Sequence, residues 1–128
     1  DLMDHLLEQI KSSKKDSLIF ANFVEFDTEF GHRRDVAGYA SALEWFDKKL
    51  GTLVKNLLRD DLLIITADHG NDPTWKGTDH TRERVPVLVF GKGRGSLNLI
   101  NFSDVGASIA DFMDVPYNGE GKSFFTTF

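Results

Sequence analysis

The chain has no cysteine, which excludes disulfides, thiolate metal sites and cysteine nucleophiles together. The same absence fits a cytoplasmic setting. No apolar run is long enough to span a membrane, and the N-terminus lacks the basic-then-apolar pattern of a secretory signal, so no membrane association is expected. Basic residues are outnumbered, 15 Lys and Arg against 20 Asp and Glu, for a net charge of -5. That balance argues against a nucleic-acid-binding surface while leaving room for a local basic site that takes a small phosphate. Internal repeats and low-complexity segments are missing. So is an initiator methionine: the chain opens on Asp1 and goes straight into helical periodicity, which reads as the C-terminal piece of a longer protein.

What remains is an ordinary globular composition. The chain has 128 residues, 41% hydrophobic and 27% charged, enough for one domain with a real core. Leu2, Met3, Leu6, Leu7 and Ile10 recur at helical spacing, and the polar stretch Ser12 to Asp16 ends that run. Leu18 to Val24 is apolar between polar flanks and reads as a parallel strand buried on both faces. A long helix is expected from about Val36 to Leu58, with Tyr39, Leu43, Phe46, Leu50, Leu53, Val54 and Leu57 on one side. Leu62 to Ala67 reads as a second buried strand, and Val85 to Phe90 as a third, with Pro86 at its start. Gly91 to Gly95 reads as a flexible turn. Ser103 is expected to cap a helix running to about Asp114, and the tail to Phe128 has no strong periodicity. This order predicts an α/β fold, a mostly parallel sheet flanked by helices, with sites outside the carboxyl ends of the strands.

Three of the four histidines lie in two polar loops that follow predicted strands. The first loop reads Glu25-Phe26-Asp27-Thr28-Glu29-Phe30-Gly31-His32-Arg33-Arg34-Asp35, and Gly31 lets Asp27 and His32 turn toward one point. The second reads Thr66-Ala67-Asp68-His69-Gly70-Asn71-Asp72, and His80 returns within Gly77-Thr78-Asp79-His80-Thr81. Imidazoles and carboxylates gathered at one sheet edge form the nitrogen and oxygen donor set of a divalent metal centre. Five such groups are too many for one tetrahedral ion that keeps a position open. They suit a pair of ions about 4 Å apart that clamp a transferring phosphoryl group.

These segments, with the closing Gly121-Lys122-Ser123-Phe124-Phe125, closely resemble the C-terminal core of phosphopentomutases, members of the alkaline phosphatase superfamily. The resemblance covers essentially the whole chain. Ala67-Asp68-His69-Gly70 points to the superfamily, whereas Gly31-His32-Arg33-Arg34-Asp35 and the long Asp72-to-His80 connection favour the pentomutase branch. The resemblance implies that residues 1–128 are part of an alkaline-phosphatase-like core domain, without the nucleophile segment and the cap domain. It implies that Asp27, His32 and His80 hold one manganese ion, and that Asp68 and His69 supply part of the shell of a second. Zinc and magnesium also suit this donor set. The implied activity is interconversion of ribose 1-phosphate and ribose 5-phosphate, and of their deoxy forms, through a phosphothreonine outside the chain. The implied partner is a small sugar phosphate. Rival readings are a cofactor-independent phosphoglycerate mutase, another phosphatase of the superfamily, and, for the isolated chain, a metal-binding module without turnover.

Each residue also has a plainer reading. Asp68-His69-Gly70 could be a capped turn, Asp27 and His32 turn and cap groups of the long helix, and His80 a solvated loop residue. Arg33 and Arg34 could bind substrate phosphate, but a structural pairing with Glu29 or Asp35 is favoured for at least one. Asp79 could orient an imidazole or be an ordinary loop acid. Phe20, Phe23, Phe26, Trp45 and Phe46 read as core, and His5 as surface without a carboxylate partner.

Overall fold

Asp1 starts the first helix by accepting the Asp4 N–H on Oδ1 at 2.8 Å, which satisfies one of the free donors of the first turn. Helix α1 runs Leu2–Ser12, and its Met3 is fully buried. The structure, a computed structural model, describes residues 1–127. Helix α2, Val36–Asn56, carries Asp35 as its N-cap, with Oδ1 accepting the Gly38 N–H at 2.9 Å. The two helices pack together, each with one buried residue, Met3 in α1 and Leu53 in α2, and Lys49 Nζ lies 3.1 Å from Asp4 Oδ1. That lysine contact holds the Asp4 carboxyl below its ordinary range.

The expected strand over Leu18 to Val24 is extended chain without ladder partners. Ile19, Ala21 and Phe23 are half-covered, whereas Leu18, Phe20 and Val24 are exposed. This is the two-residue alternation of an extended backbone with one face covered, not a strand buried on both sides. It splits the expected aromatic core. Phe23 meets Trp45 and Phe46 edge-on with centroids 6.4 and 5.2 Å apart, and Phe26 meets Tyr39 and Phe46. Phe20, of opposite parity to Phe23, is 86% exposed and belongs to no core.

The sheet has two strands, β1 at Leu63–Thr66 and β2 at Val87–Phe90, paired antiparallel. The mostly parallel sheet is therefore not what forms among the described residues. A parallel return needs a crossover, usually through a helix, and no helix lies between Thr66 and Val87. The connection instead folds back on itself, and Gly70 and Thr81 form an isolated antiparallel bridge. What stands is a mixed fold of helices and a small sheet.

By internal contacts the chain divides into two units, Asp1–Asp61 with Ile65–Val87, and Leu62–Ile64 with the segment from Leu88 onward. The second unit is built around helix α3, Phe102–Phe112, which begins two residues before the expected position. Asn101 precedes it, and Asp104, at the third helical position, accepts the Asn101 N–H on Oδ2 at 2.8 Å. Asp104 is thus the carboxylate that reaches back over the first turn, and Ser103 lies inside the helix. Ser108, fully buried, donates to the Asp104 carbonyl at 2.7 Å and accepts the Phe124 N–H at 2.9 Å. These contacts dock the tail, which forms a short 3-10 turn at Phe124–Thr127 despite its lack of periodicity. Gly91, Gly93 and Gly95 all adopt positive φ, as the turn reading requires. Lys92 Nζ sits 5.1 Å from the Phe125 ring centroid and 5.5 Å from that of Phe112.

Candidate metal centre

The first polar loop is a turn of π-helix, Phe26–Gly31. The His32 N–H reaches the Asp27 carbonyl at 2.9 Å, and the Asp35 N–H reaches that of Phe30 at 3.0 Å. Both are the five-residue closures that widen a helix. In an α-helix residues five apart point about 140° away from each other. The wider turn brings Asp27 and His32 onto one face, with His32 Nε2 3.2 Å from Asp27 Oδ2. An irregular loop was the expectation; the wide turn performs the same convergence with an ordered backbone.

The second loop closes through the Gly70–Thr81 bridge, with the Thr81 N–H donating to the Gly70 carbonyl at 2.9 Å. Thr81 Oγ1 accepts the Asp72 N–H at 2.6 Å and donates to Glu83 Oε2 at 2.5 Å. The Thr74 N–H and hydroxyl both donate to Asp72 Oδ1 and hold its carboxyl below the ordinary range. With the loop pinned at both ends, the neighbouring rings of His69 and His80 stack, centroids 3.8 Å apart.

Across the two loops, His80 Nε2 lies 3.3 Å from Asp27 Oδ1 and 3.1 Å from His32 Nε2. Ligand atoms of Asp27, His69 and His80 all fall within 4.8 Å of one another. The structure therefore brings Asp27, His32, His69 and His80 into one cluster. Asp68 stands at its rim, with a side chain 72% exposed and Oδ2 3.6 Å from His69 Nε2. His69 touches both groupings: it neighbours Asp68 and also lies within reach of Asp27 and His80. His5 is exposed on α1, with Nδ1 3.7 Å from Glu8 Oε2, so it does have a carboxylate neighbour.

The hydrogen bonds decide which ring nitrogens carry lone pairs. His32 Nδ1 faces the Thr78 carbonyl, which can only accept, so Nδ1 carries the proton and Nε2 the lone pair. His69 Nδ1 likewise faces the Gly70 carbonyl at 3.3 Å. The Nε2 lone pair of His32 then points at a carboxylate oxygen. Burial raises the Asp27 carboxyl, but donation from the Asn71 amide, together with the charge that the His32, His80 and His69 rings carry when protonated, outweighs it and holds the carboxyl below 3.8. Tyr39 feels the same charge from the other side: burial and the Asp27 carboxylate raise its hydroxyl. Lone pairs and a carboxylate aimed at one another repel unless a proton or cation lies among them. Nitrogen and oxygen donors without a thiolate fit a manganese, zinc or magnesium ion.

The two arginines divide. Arg33 Nη2 pairs with Glu29 Oε2 at 2.7 Å on the exposed face of the turn, as the structural reading expected. Arg34 turns inward and spends its donors on the second loop. Asp79 contributes its backbone carbonyl to that arginine. Asn71, only 9% exposed, donates to Asp27 Oδ1 at 2.6 Å. The sequence reading gave Asn71 no role; its place two residues after His69 was the one available signal.

Comparison with known proteins follows the same lines. A family model described as the metalloenzyme superfamily matches residues 1–117. The phosphopentomutase of Shewanella woodyi is 55% identical over 126 residues, covering 96% of this chain and 31% of that protein. That of Shewanella denitrificans is 56% identical with the same coverage. That of Vibrio cholerae serotype O1 is 52% identical over 127 residues, 97% of this chain and 31% of the relative. The chain thus spans about a third of the length of the curated relatives it matches.

Proposed function

The chain belongs to the metalloenzyme superfamily, and from that premise we propose that it is the metal-holding part of a phosphopentomutase. The reaction is interconversion of ribose 1-phosphate and ribose 5-phosphate, and of the deoxy forms, by transfer through a phosphothreonine. One observation carries this reading above the others: Asp27, His32 and His80, from two loops, bring their potential ligand atoms within 3.1 to 3.3 Å of one another. Asp27, His32 and His80 would hold one divalent ion, manganese by preference, and Asp68 and His69 would contribute to a second. Such ions supply charge neutralisation to a transferring phosphoryl group and lower the pKa of an attacking hydroxyl.

The chain's own residues serve that chemistry by orientation. Thr78 and Gly70 fix the ring tautomers through their carbonyls. Asn71 holds one Asp27 oxygen, and burial keeps the carboxylate side partly dry. The hydroxyl of Thr81, beside the cluster, is engaged with Asp72 and Glu83, which favours a phosphoryl carrier other than this residue. The matching relatives are named phosphopentomutases, which favours pentose phosphates over other sugar phosphates.

The test is activity of the protein expressed from the gene that encodes this chain. With manganese it should convert ribose 5-phosphate to ribose 1-phosphate, read through a coupled nucleoside phosphorylase. Turnover of 3-phosphoglycerate with none of pentose phosphates would assign it instead to a phosphoglycerate mutase.

A further inference from the structure

We propose that Arg34 and Asn71 are positioning residues that lock the two ligand-bearing loops into a single cation site. This rests on the metal-centre reading above and adds to it the residues that set its geometry. Arg34 lies two residues after His32, yet nearly all its partners are in the other loop. Nε donates to the Gly77 carbonyl at 2.5 Å and Nη2 to that of Asp79 at 2.6 Å. Nη1 donates to Asn71 Oδ1 at 2.7 Å, to the Asp72 carbonyl at 2.8 Å and to its own loop's Gly31 carbonyl at 3.0 Å. Every guanidinium nitrogen thus donates to the protein, which commits the side chain to bridging the loops.

Asn71 continues the chain of contacts to the cluster. Its Oδ1 accepts from Arg34 and its Nδ2 donates to Asp27 Oδ1 at 2.6 Å. Only this amide orientation satisfies both neighbours, so the arginine decides which end of the amide faces the carboxylate. Three further features show how closely the assembly is determined. Arg34 sits at φ +56, a left-handed conformation that non-glycine residues rarely adopt. A Cβ at Gly31 would lie 2.5 Å from Asn71 Nδ2, so the first loop packs directly on the amide. The carbonyls of Gly77 and Asp79, which Arg34 holds, flank Thr78, whose own carbonyl fixes the His32 tautomer, and Asp79 precedes His80. One side chain therefore governs the placement of Asp27, His32 and His80.

A lysine keeps the charge but offers a single point of donation, which cannot span carbonyls arranged around a planar fork. Arg34→Lys and Asn71→Ala are compared with wild type in the purified protein, with His5→Ala as the neutral control. Manganese binding is followed by electron paramagnetic resonance, and folding by circular dichroism and thermal midpoint without metal. Both variants should remain folded without metal and bind manganese roughly 10- to 100-fold more weakly, as loss of a group that orients a ligand does. Their bound-ion spectra should also broaden, reporting a less uniform ligand geometry. Lowered metal-free stability with wild-type manganese affinity and an unchanged spectrum would reduce both residues to general structural roles and overturn the inference. If Arg34→Lys does not fold, Asn71→Ala decides alone. Binding by wild type that His32→Ala removes but neither variant weakens defeats this inference and leaves the metal centre standing. No binding by wild type overturns the centre and the inference with it.

Discussion

At the scale of single residues, the site rests on a few atoms whose protonation the backbone dictates. His32 has its proton placed on Nδ1 by the Thr78 carbonyl, which leaves Nε2 as a donor atom facing Asp27. His32→Ala should therefore weaken manganese binding by at least about 100-fold, the upper end of what losing an orienting group costs, as isothermal titration would show. Ser108 offers a residue-scale test away from the site. It is fully buried, and its hydroxyl satisfies the Phe124 N–H while donating to the Asp104 carbonyl. Ser108→Ala strands that N–H and should cost about 1–3 kcal/mol in denaturant unfolding, without changing metal affinity.

Elements show where patterns in the sequence succeed and where they stop. Helices α1 and α2 were legible because amphipathic spacing repeats within a few residues, whereas their caps, Asp1 and Asp35, came from the structure. Helix α3 was legible in its body but not at its start, because Asp104 serves a reach-back bond to the Asn101 N–H and also accepts the Lys122 N–H at 2.8 Å. The second partner lies too far along the chain for a local signal. Those two N–H donors, Lys122 first, hold the Asp104 carboxyl below 3.8 against the opposing effect of burial. A carboxylate lowered in the folded state stabilises above its unfolded pKa of about 3.9, and that contribution is lost as pH falls through the folded value. The acid limb of unfolding, followed by circular dichroism, should accordingly be shallower in Asp104→Asn than in wild type. The π-turn that carries Asp27 and His32 was not legible: its sequence reads as a loop, and a wide turn is recognised only from the closures its backbone makes.

For the molecule as a whole, the two loops that form the cluster are separated in sequence by α2 and β1. An ion held between them links distant segments and stabilises the folded chain by mass action. Manganese at about a hundred times its Kd should raise the unfolding free energy by about 2.7 kcal/mol. A scanning fluorimetry midpoint that rises with manganese and returns on adding a chelator would show this, and a midpoint indifferent to both would contradict it. No helix among the described residues is long and apolar enough to cross a membrane. The exposed face of Leu18, Phe20 and Val24 also belongs to this scale. The apolar run was visible in the sequence, but how many of its faces are covered depends on what packs against it.

The amino-acid sequence by itself determined the chemistry on offer: imidazoles and carboxylates without thiolates, amphipathic helices, and the two short motifs that carry the ligands. Those properties reside in side-chain identity and near-neighbour spacing, which need no fold to be read. Only the tertiary structure decided that β1 and β2 pair antiparallel, that Phe20 lies outside the core, and that Arg34 spends its donors on a loop 37 to 45 residues away. The physical reason is that hydrogen bonds and packing between distant segments depend on the path of the backbone between them, and no local pattern encodes that path.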